Sequence, residues 1–444
     1  MYVLFSFWFV LLFEPQWLLA PRGLPVLLLL PLGLLFALVC LLCLGALNKA
    51  GSSRRWTWYV PLLSYIGASA ITVPFALNRG VAYEEVRTIF FQWIMVAGTV
   101  ALTDRARRAE MLLYLYGLQF LWYGLWGFTG PGYVPWQTVL SNYDGYGSWM
   151  VIGGGFCSFL VLASDDKWLR RLMLITVPLC VVGMVASFAR GAFLSALLML
   201  VLVWIRSPNK GKMFAGVVFG GLLLVVAANL LFGEAYWTEM STILEGTEEA
   251  TGDERMENWK AAFRVFLAHP VLGAGAGNWS IFGATIFRPG EYSTVWGPNP
   301  ALMLWGTQTH NTYVQILAEH GIVGSVLFVW ILIDFWRRNV VLRTPWAAER
   351  WRAIGGRLKL SAVALGIEAA MVGWMTASML YSMAGTHWFY TIAALNLTLH
   401  ALLTHGTRTR KRQLRISAVG AHVPKTNAPP FVGTQGASEF GPGP

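Results

Sequence analysis

The sequence predicts an all-α polytopic membrane protein of about 12 transmembrane helices, with one large outer loop between spans 9 and 10. Three observations predict it. Of 444 residues, 56% are hydrophobic and 12% are charged, whereas a soluble domain carries about 25% charged residues. Apolar runs of about 20 residues recur along the chain, each long enough to cross a bilayer as a helix. The basic residues fall in alternate connections, as the inside of a membrane protein requires.

The runs lie at roughly 2–20, 24–47, 56–77, 85–103, 110–128, 147–164, 171–188, 191–206, 213–233, 312–335, 360–383 and 387–404. The first is interrupted by Glu14 and Pro15. With the N-terminus inside, the segments "NKAGSSRR", "TDRARRAE", "SDDKWLRR", "RSPNKGK", "RRNVVLRTPWAAERWRAIGGRLK" and the "RTRKRQLR" tail are all inside. These hold all but eight of the 33 Lys and Arg. The eight against the bias are Arg22, Arg79, Arg87, Arg190, Arg255, Lys260, Arg264 and Arg288. Charge on the disfavoured side marks functional candidates. The net charge of +11 follows from the same bias, so no nucleic-acid partner is expected.

The bundle reads as one domain over 1–404, which includes the outer loop at 234–311. Residues 405–444 read as a cytoplasmic basic segment followed by a polar, disordered tail beyond Ile416. Cys40, Cys43, Cys157 and Cys180 all sit in apolar runs and read as small core residues. The N-terminus lacks a basic region before its apolar run, so it reads as the first span and not a cleaved signal.

Within the outer loop, "RMENWKAAFRVFLAHPVLGAG" has helical spacing, with Trp259, Ala262, Phe263, Phe266 and Leu267 on one face. That face suits either the membrane surface or the bundle. Pro270 and Gly273 end the helix. "GAGAGNW" at 273–279 follows no strand and reads as a tight turn with close backbone packing.

Three outer-face residues could carry chemistry. Arg190, in "SFARGAFLSAL", lies between two apolar runs, where an arginine is costly without a partner or an anionic ligand; otherwise it snorkels at a span end. Arg255, in "GDERMENW", suits an anion or a salt bridge to Asp253, Glu254 or Glu257. His310, in "TQTHNTYVQILAEHGIVG", stands at the start of a span, as a structural residue or as one that takes a hydroxyl proton near neutral pH. Taken together they suit a phosphorylated lipid. Guanidinium forks bind phosphate bidentately, and a helix start adds N–H groups and a positive dipole end. Weaker candidates are Arg79 and Arg87 around "GVAYEEV", Tyr313, and His387 in "AGTHWFY". No metal motif is present: Asp144 has no second carboxylate near it in sequence. No Walker or Rossmann motif is present either, which argues against a nucleotide donor.

From about Ser187 to Gly324 the chain resembles the O-antigen ligase family of bacterial membrane glycosyltransferases. The family includes O-antigen ligases, O-antigen and exopolysaccharide polymerases, and protein O-oligosaccharyltransferases. "SFARG" opens a span, Arg255 to Trp259 forms R-x-x-x-W ahead of "HPVLGAGAGNW", and "HNTYVQILAEHGIVG" follows. The first half of the chain matches only in hydropathy and span layout. The resemblance implies a metal-independent, GT-C-like helical bundle in the bacterial inner membrane. Both termini would be cytoplasmic, with the large loop and active site periplasmic. It implies inverting transfer of a glycan from an undecaprenyl diphosphate carrier to an acceptor hydroxyl, with no cofactor. Ligation to lipid A-core is the leading reaction; another glycan or a protein is the alternative acceptor. In this reading Arg190 and Arg255 hold the diphosphate and His310 is catalytic. A twelve-span secondary transporter competes; it would show internal repeats and discontinuous helices. A non-catalytic scaffold would leave the Arg-Arg-His set unexplained.

Overall fold

A computed structural model describes residues 2–13, 57, 59–129, 132–134, 140–206, 209–241, 250–286, 307–383 and 385–420. The expected span at 24–47, with Cys40 and Cys43, lies outside them, as does Arg288. The chain divides into two units, Met1–Leu403 and Thr404–Pro444.

The described residues form helices and no strands. In order these are α1 (Tyr2–Phe13), α2 (Val60–Thr72), α3 (Arg79–Leu102), α4 (Ala106–Thr129), α5 (Tyr143–Ala163), α6 (Lys167–Ala186), α7 (Arg190–Arg206), α8 (Lys210–Leu231), α9 (Glu234–Ser241), α10 (Ala250–Ala268), α11 (Trp279–Ile286), α12 (Thr312–Leu342), α13 (Pro345–Ala353), α14 (Leu360–Ala377) and α15 (His387–Gly420). Six of them, α3, α5, α6, α8, α12 and α14, are long and apolar enough to cross a membrane. The protein is therefore a multi-pass membrane protein. The last helix continues past Ile416, where the sequence suggested disorder.

Helix starts follow side-chain chemistry. Asn78, Asn142, Asp166, Asn311 and Thr344 each precede a helix and accept backbone N–H groups of its first turn, which have no intrahelical partner. The core of the first unit gathers around α5, which is buried nearly all round and packs against α4, α6, α7 and α14. Glycines allow the close approach. Gly155 of α5 and Gly373 of α14 both lie against Met199 of α7, and Gly153 lies against Phe120 of α4. Cys157 and Cys180 are buried free thiols, as core residues should be. By contrast α8 turns Phe214, Phe219, Leu222 and Leu230 outward, the expected surface of a lipid-facing helix.

Glu368 is the clearest charge inside the apolar part of α14, and its carboxylate is fully partnered. Arg206 pairs with it, Arg343 Nη1 pairs with it at 3.0 Å and Asn339 Nδ2 donates to it at 3.0 Å. It locks α7, α12 and α14 together and leaves nothing open to carry an ion.

The "GAGAGNW" turn enters the bundle at a break in α12. At Gly321 the backbone leaves the helical region, with φ 59° and ψ −160°. The break frees two carbonyls and two N–H groups, which buried backbone must satisfy. Residues 270–275 take them over. The N–H groups of Ala274 and Gly275 donate to the carbonyls of Ala318 and Glu319, both at 2.9 Å. Those of Ile322 and Val323 donate to Pro270 and Val271, at 2.9 and 3.2 Å. A side chain at Gly321 would meet the Val271 carbonyl and come within 2.7 Å of Gly273 N. Gly321→Ala should therefore lower stability by at least about 2 kcal/mol, adding left-handed strain to a clash. Thermal unfolding of the detergent-purified protein would show it as a fall in Tm.

α10 divides its apolar face between the bundle and the outside. The buried residues are Asn258, Ala261, Ala262 and Val265, while Phe263 and Leu267 point outward. Small residues let helices approach closely, so alanines form the packed side and the bulky residues are left on the other. Of the residues on the face read from the sequence, Ala262 packs inward and Trp259 is half-buried, while Phe263 and Leu267 take the outward side.

Candidate active site

The site is built where α5, α7, α10 and α12 begin or end near one another. On α10, Arg255 and Trp259 are four residues apart and therefore share a face. The Trp259 indole N–H donates to the carbonyl of Thr309 at 2.8 Å, and Asn258 Nδ2 donates to that of Gln308 at 3.1 Å. These bonds dock α10 against the residues just before His310. Arg255 follows one turn earlier on the same side.

His310 itself is held on both flanks. Thr309 Oγ1 and Ser382 Oγ bond at 2.9 Å. Thr312 N donates to Ser378 O at 2.8 Å, and Thr312 Oγ1 donates to Tyr381 O at 3.0 Å. Asn311 caps α12 through the N–H groups of Tyr313 and Val314. The result is a left-handed His310 backbone, at φ 52°. A non-glycine residue there costs about 1–3 kcal/mol and persists only when its surroundings over-determine it. The described residues contain one other such case, Phe188 at φ 51°. It turns the chain directly ahead of Arg190, with its ring packed on Phe232 and Tyr236 at 4.9 and 5.7 Å. Both left-handed positions thus adjoin residues that the motifs single out.

The imidazole of His310 is half-buried, and its Nδ1 has no hydrogen-bond partner. Burial lowers its pKa below the ordinary histidine value and the Arg255 guanidinium lowers it further, opposed by Asp144 and Glu254. At neutral pH it is therefore an uncharged ring with a lone pair to offer. Arg255 Nη2 reaches Asp144 Oδ2 at 3.3 Å. Arg190, the first residue of α7, has its Nε 3.6 Å from Glu239 Oε1 of α9. A Cβ on its neighbour Gly191 would lie against Leu380 at 3.3 Å, with Asp144 Oδ1 at 3.9 Å. Arg255 and His310 thus come within electrostatic reach of each other, and Arg190 begins the helix beside Asp144.

The weaker candidates lie apart from this set. Arg79 is exposed at the start of α3, and Arg87 pairs with Glu84 on the same helix. Tyr313 donates its hydroxyl to Met375 O at 2.9 Å, tying α12 to α14. His387 sits edge-on to Trp149 at 6.1 Å. His320, which reads as structural, is buried between Ser69 and Tyr65. Sequence reasoning weighed Asp144 only as a metal ligand, and it passed over Tyr381. Asp144 carried a weak signal, an acid in the first turn after Asn142; Tyr381 carried none. Asn142 Nδ2 donates to the Tyr381 hydroxyl at 2.6 Å, which anchors the start of α5 to the turn that holds Thr312. Among the described residues no cluster of metal-ligating side chains occurs.

Fold and site together define a multi-pass α-helical membrane protein in which Arg255 acts on an uncharged His310 and pairs with Asp144, with Arg190 at the start of the helix beside that carboxylate. A family model described as O-antigen ligase matches residues 175–329, the stretch that runs from α6 through the site to the middle of α12. Over this stretch the chain is similar to the O-antigen ligase family. Comparison with curated proteins gave no match.

Proposed function

We propose that this protein transfers a glycan from an undecaprenyl diphosphate carrier to an acceptor hydroxyl at the periplasmic face of the bacterial inner membrane. The observation that carries the reading is the pairing of Arg255 with an uncharged, strained His310. A phosphate-binding fork lies beside a group able to take a proton. The diphosphate is already a good leaving group, so the protein must align the hydroxyl and stabilise charge on the departing phosphate. Arg190 and Arg255 supply the charge, and His310 takes the hydroxyl proton or orients it. One in-line displacement inverts the anomeric carbon.

Of the family's reactions we assign ligation to lipid A-core, on the description of the matched family. Polymerisation and protein O-glycosylation would use the same donor half. Discontinuous helices also occur in secondary transporters. Here the break at Gly321 is filled by residues 270–275, and Glu368 is fully paired, so neither offers a transport site. The test is reconstitution of the purified chain with an undecaprenyl diphosphate-linked O-antigen and, separately, lipid A-core, a second donor molecule or a Ser/Thr peptide. Product with lipid A-core alone supports ligation. Product with another acceptor alone moves the assignment to that reaction, and no product with any acceptor overturns glycan transfer.

A further inference from the structure

Asp144 stands between the three motif segments. It lies in the first turn of α5, where a helix N-terminus favours negative charge. Arg255 of α10 is its ion-pair partner, a Cβ on Gly191 of α7 would come within 3.9 Å of its carboxylate, and His310 feels its charge. Its position is fixed from behind. Asn142 caps α5 through Gly145 N at 2.6 Å and holds Tyr381 with its other end.

Asp144 therefore holds the place of an anion. A donor phosphate approaching Arg255 meets a guanidinium already occupied by a carboxylate. The occupation is loose: 3.3 Å exceeds the roughly 2.7–2.9 Å of a tight charge-assisted bond. Both side chains are also open to water, at 23% and 28% exposure. A diphosphate carries more charge and can engage the fork with two oxygens, so it displaces the carboxylate. A carboxylate released beside His310 is then available to a positive imidazole.

We propose that Asp144 is a positioning residue that exchanges partners during transfer: it neutralises Arg255 in the empty site and His310 after proton transfer. This rests on the glycan-transfer reading above. In the step, the acceptor O–H gives its proton to the uncharged imidazole of His310. The acceptor oxygen bonds to the anomeric carbon, and the carbon–oxygen bond to phosphate breaks with its electron pair leaving on the diphosphate. The imidazolium now faces the Asp144 carboxylate and later returns its proton to water. The charged and titratable groups around the ring are Arg255 and Glu254 of α10 and Asp144 of α5. The Tyr381 hydroxyl lies beyond Asn142, and the Arg190–Glu239 pair lies on the α7 and α9 side.

The experiment compares wild type, Asp144→Asn, Asp144→Glu and His310→Ala as full-length protein in detergent. Binding of undecaprenyl diphosphate, Tm, and the pH profile of transfer are measured on each. Asp144→Asn is expected to bind undecaprenyl diphosphate at least about threefold more tightly, because its competitor is gone, and to turn over at least about tenfold more slowly. Its acid limb should move to lower pH, since a carboxylate that raises the His310 pKa is lost. Asp144→Glu should recover part of the rate. Unchanged binding with an unmoved acid limb overturns the proposal, as does weaker binding accompanied by a lower Tm, which would mark a structural role. If His310→Ala transfers at the wild-type rate, or the wild type binds no undecaprenyl diphosphate, the glycan-transfer reading itself fails. Loss of activity in His310→Ala beside wild-type behaviour in Asp144→Asn overturns Asp144 alone.

Discussion

His310→Ala is expected to fold, to bind the lipid-linked donor, and to transfer glycan about 10²–10⁴-fold more slowly, the usual contribution of a positioned acid or base. Folding should survive because the backbone around His310 is held by Thr309, Asn311 and Thr312 and not by the imidazole, whose Nδ1 bonds to nothing. The pH dependence gives a sharper signature. Burial and Arg255 depress the His310 pKa, so the neutral ring persists at pH values where an ordinary histidine is half protonated. Wild-type transfer should therefore hold steady as pH falls to about 6.5, the unperturbed histidine value, and decline only below it. Release of undecaprenyl diphosphate followed against pH is the measurement. An acid limb centred above that value would mean that another group controls the rate.

The second large effect is expected from the arginines. Loss of one donor that stabilises developing charge costs about 10²–10³ in rate, so Arg190→Ala and Arg255→Ala should each fall in that range. The double variant should in addition lose measurable binding of the donor. Arg255→Lys should remain impaired, because an ammonium cannot make two parallel bonds to phosphate. Arg255→Ala also removes the guanidinium that lowers the His310 pKa, so its residual activity should show an acid limb at higher pH. Donor binding by the double variant at the wild-type level would sink the diphosphate clamp.

Helix placement was legible because hydrophobic runs of membrane length and polar caps are local signals. Asn78, Asn142, Asp166 and Asn311 begin helices for reasons written within four residues of each. Arg190, Arg255 and His310 stood out as candidates from the sequence, since basic residues against the expected charge bias and a histidine at a span start are visible without coordinates. The glycines at 273, 275 and 277 read correctly as a turn with close backbone packing, and all three have positive φ.

Other features depended on distant segments. Asp144 looked isolated because its partner lies 111 residues away. The break at Gly321 was hidden in an apolar run, because "HGIVG" has the hydropathy of an unbroken span. What breaks the helix is a loop some 50 residues earlier in the chain, which offers the missing hydrogen bonds. Which side of α10 packs inward was open for a related reason: periodicity ranks residues by hydrophobicity, whereas close packing selected the small ones. By itself the sequence determined a helical membrane chain, its helix starts and the residues from which the proposed site is built, because each depends on near neighbours or on the bilayer. The tertiary structure alone decided that Asp144 joins them, that α12 breaks at Gly321 and that His310 is held strained and uncharged. Each of these rests on a backbone group or charge supplied by a remote part of the chain.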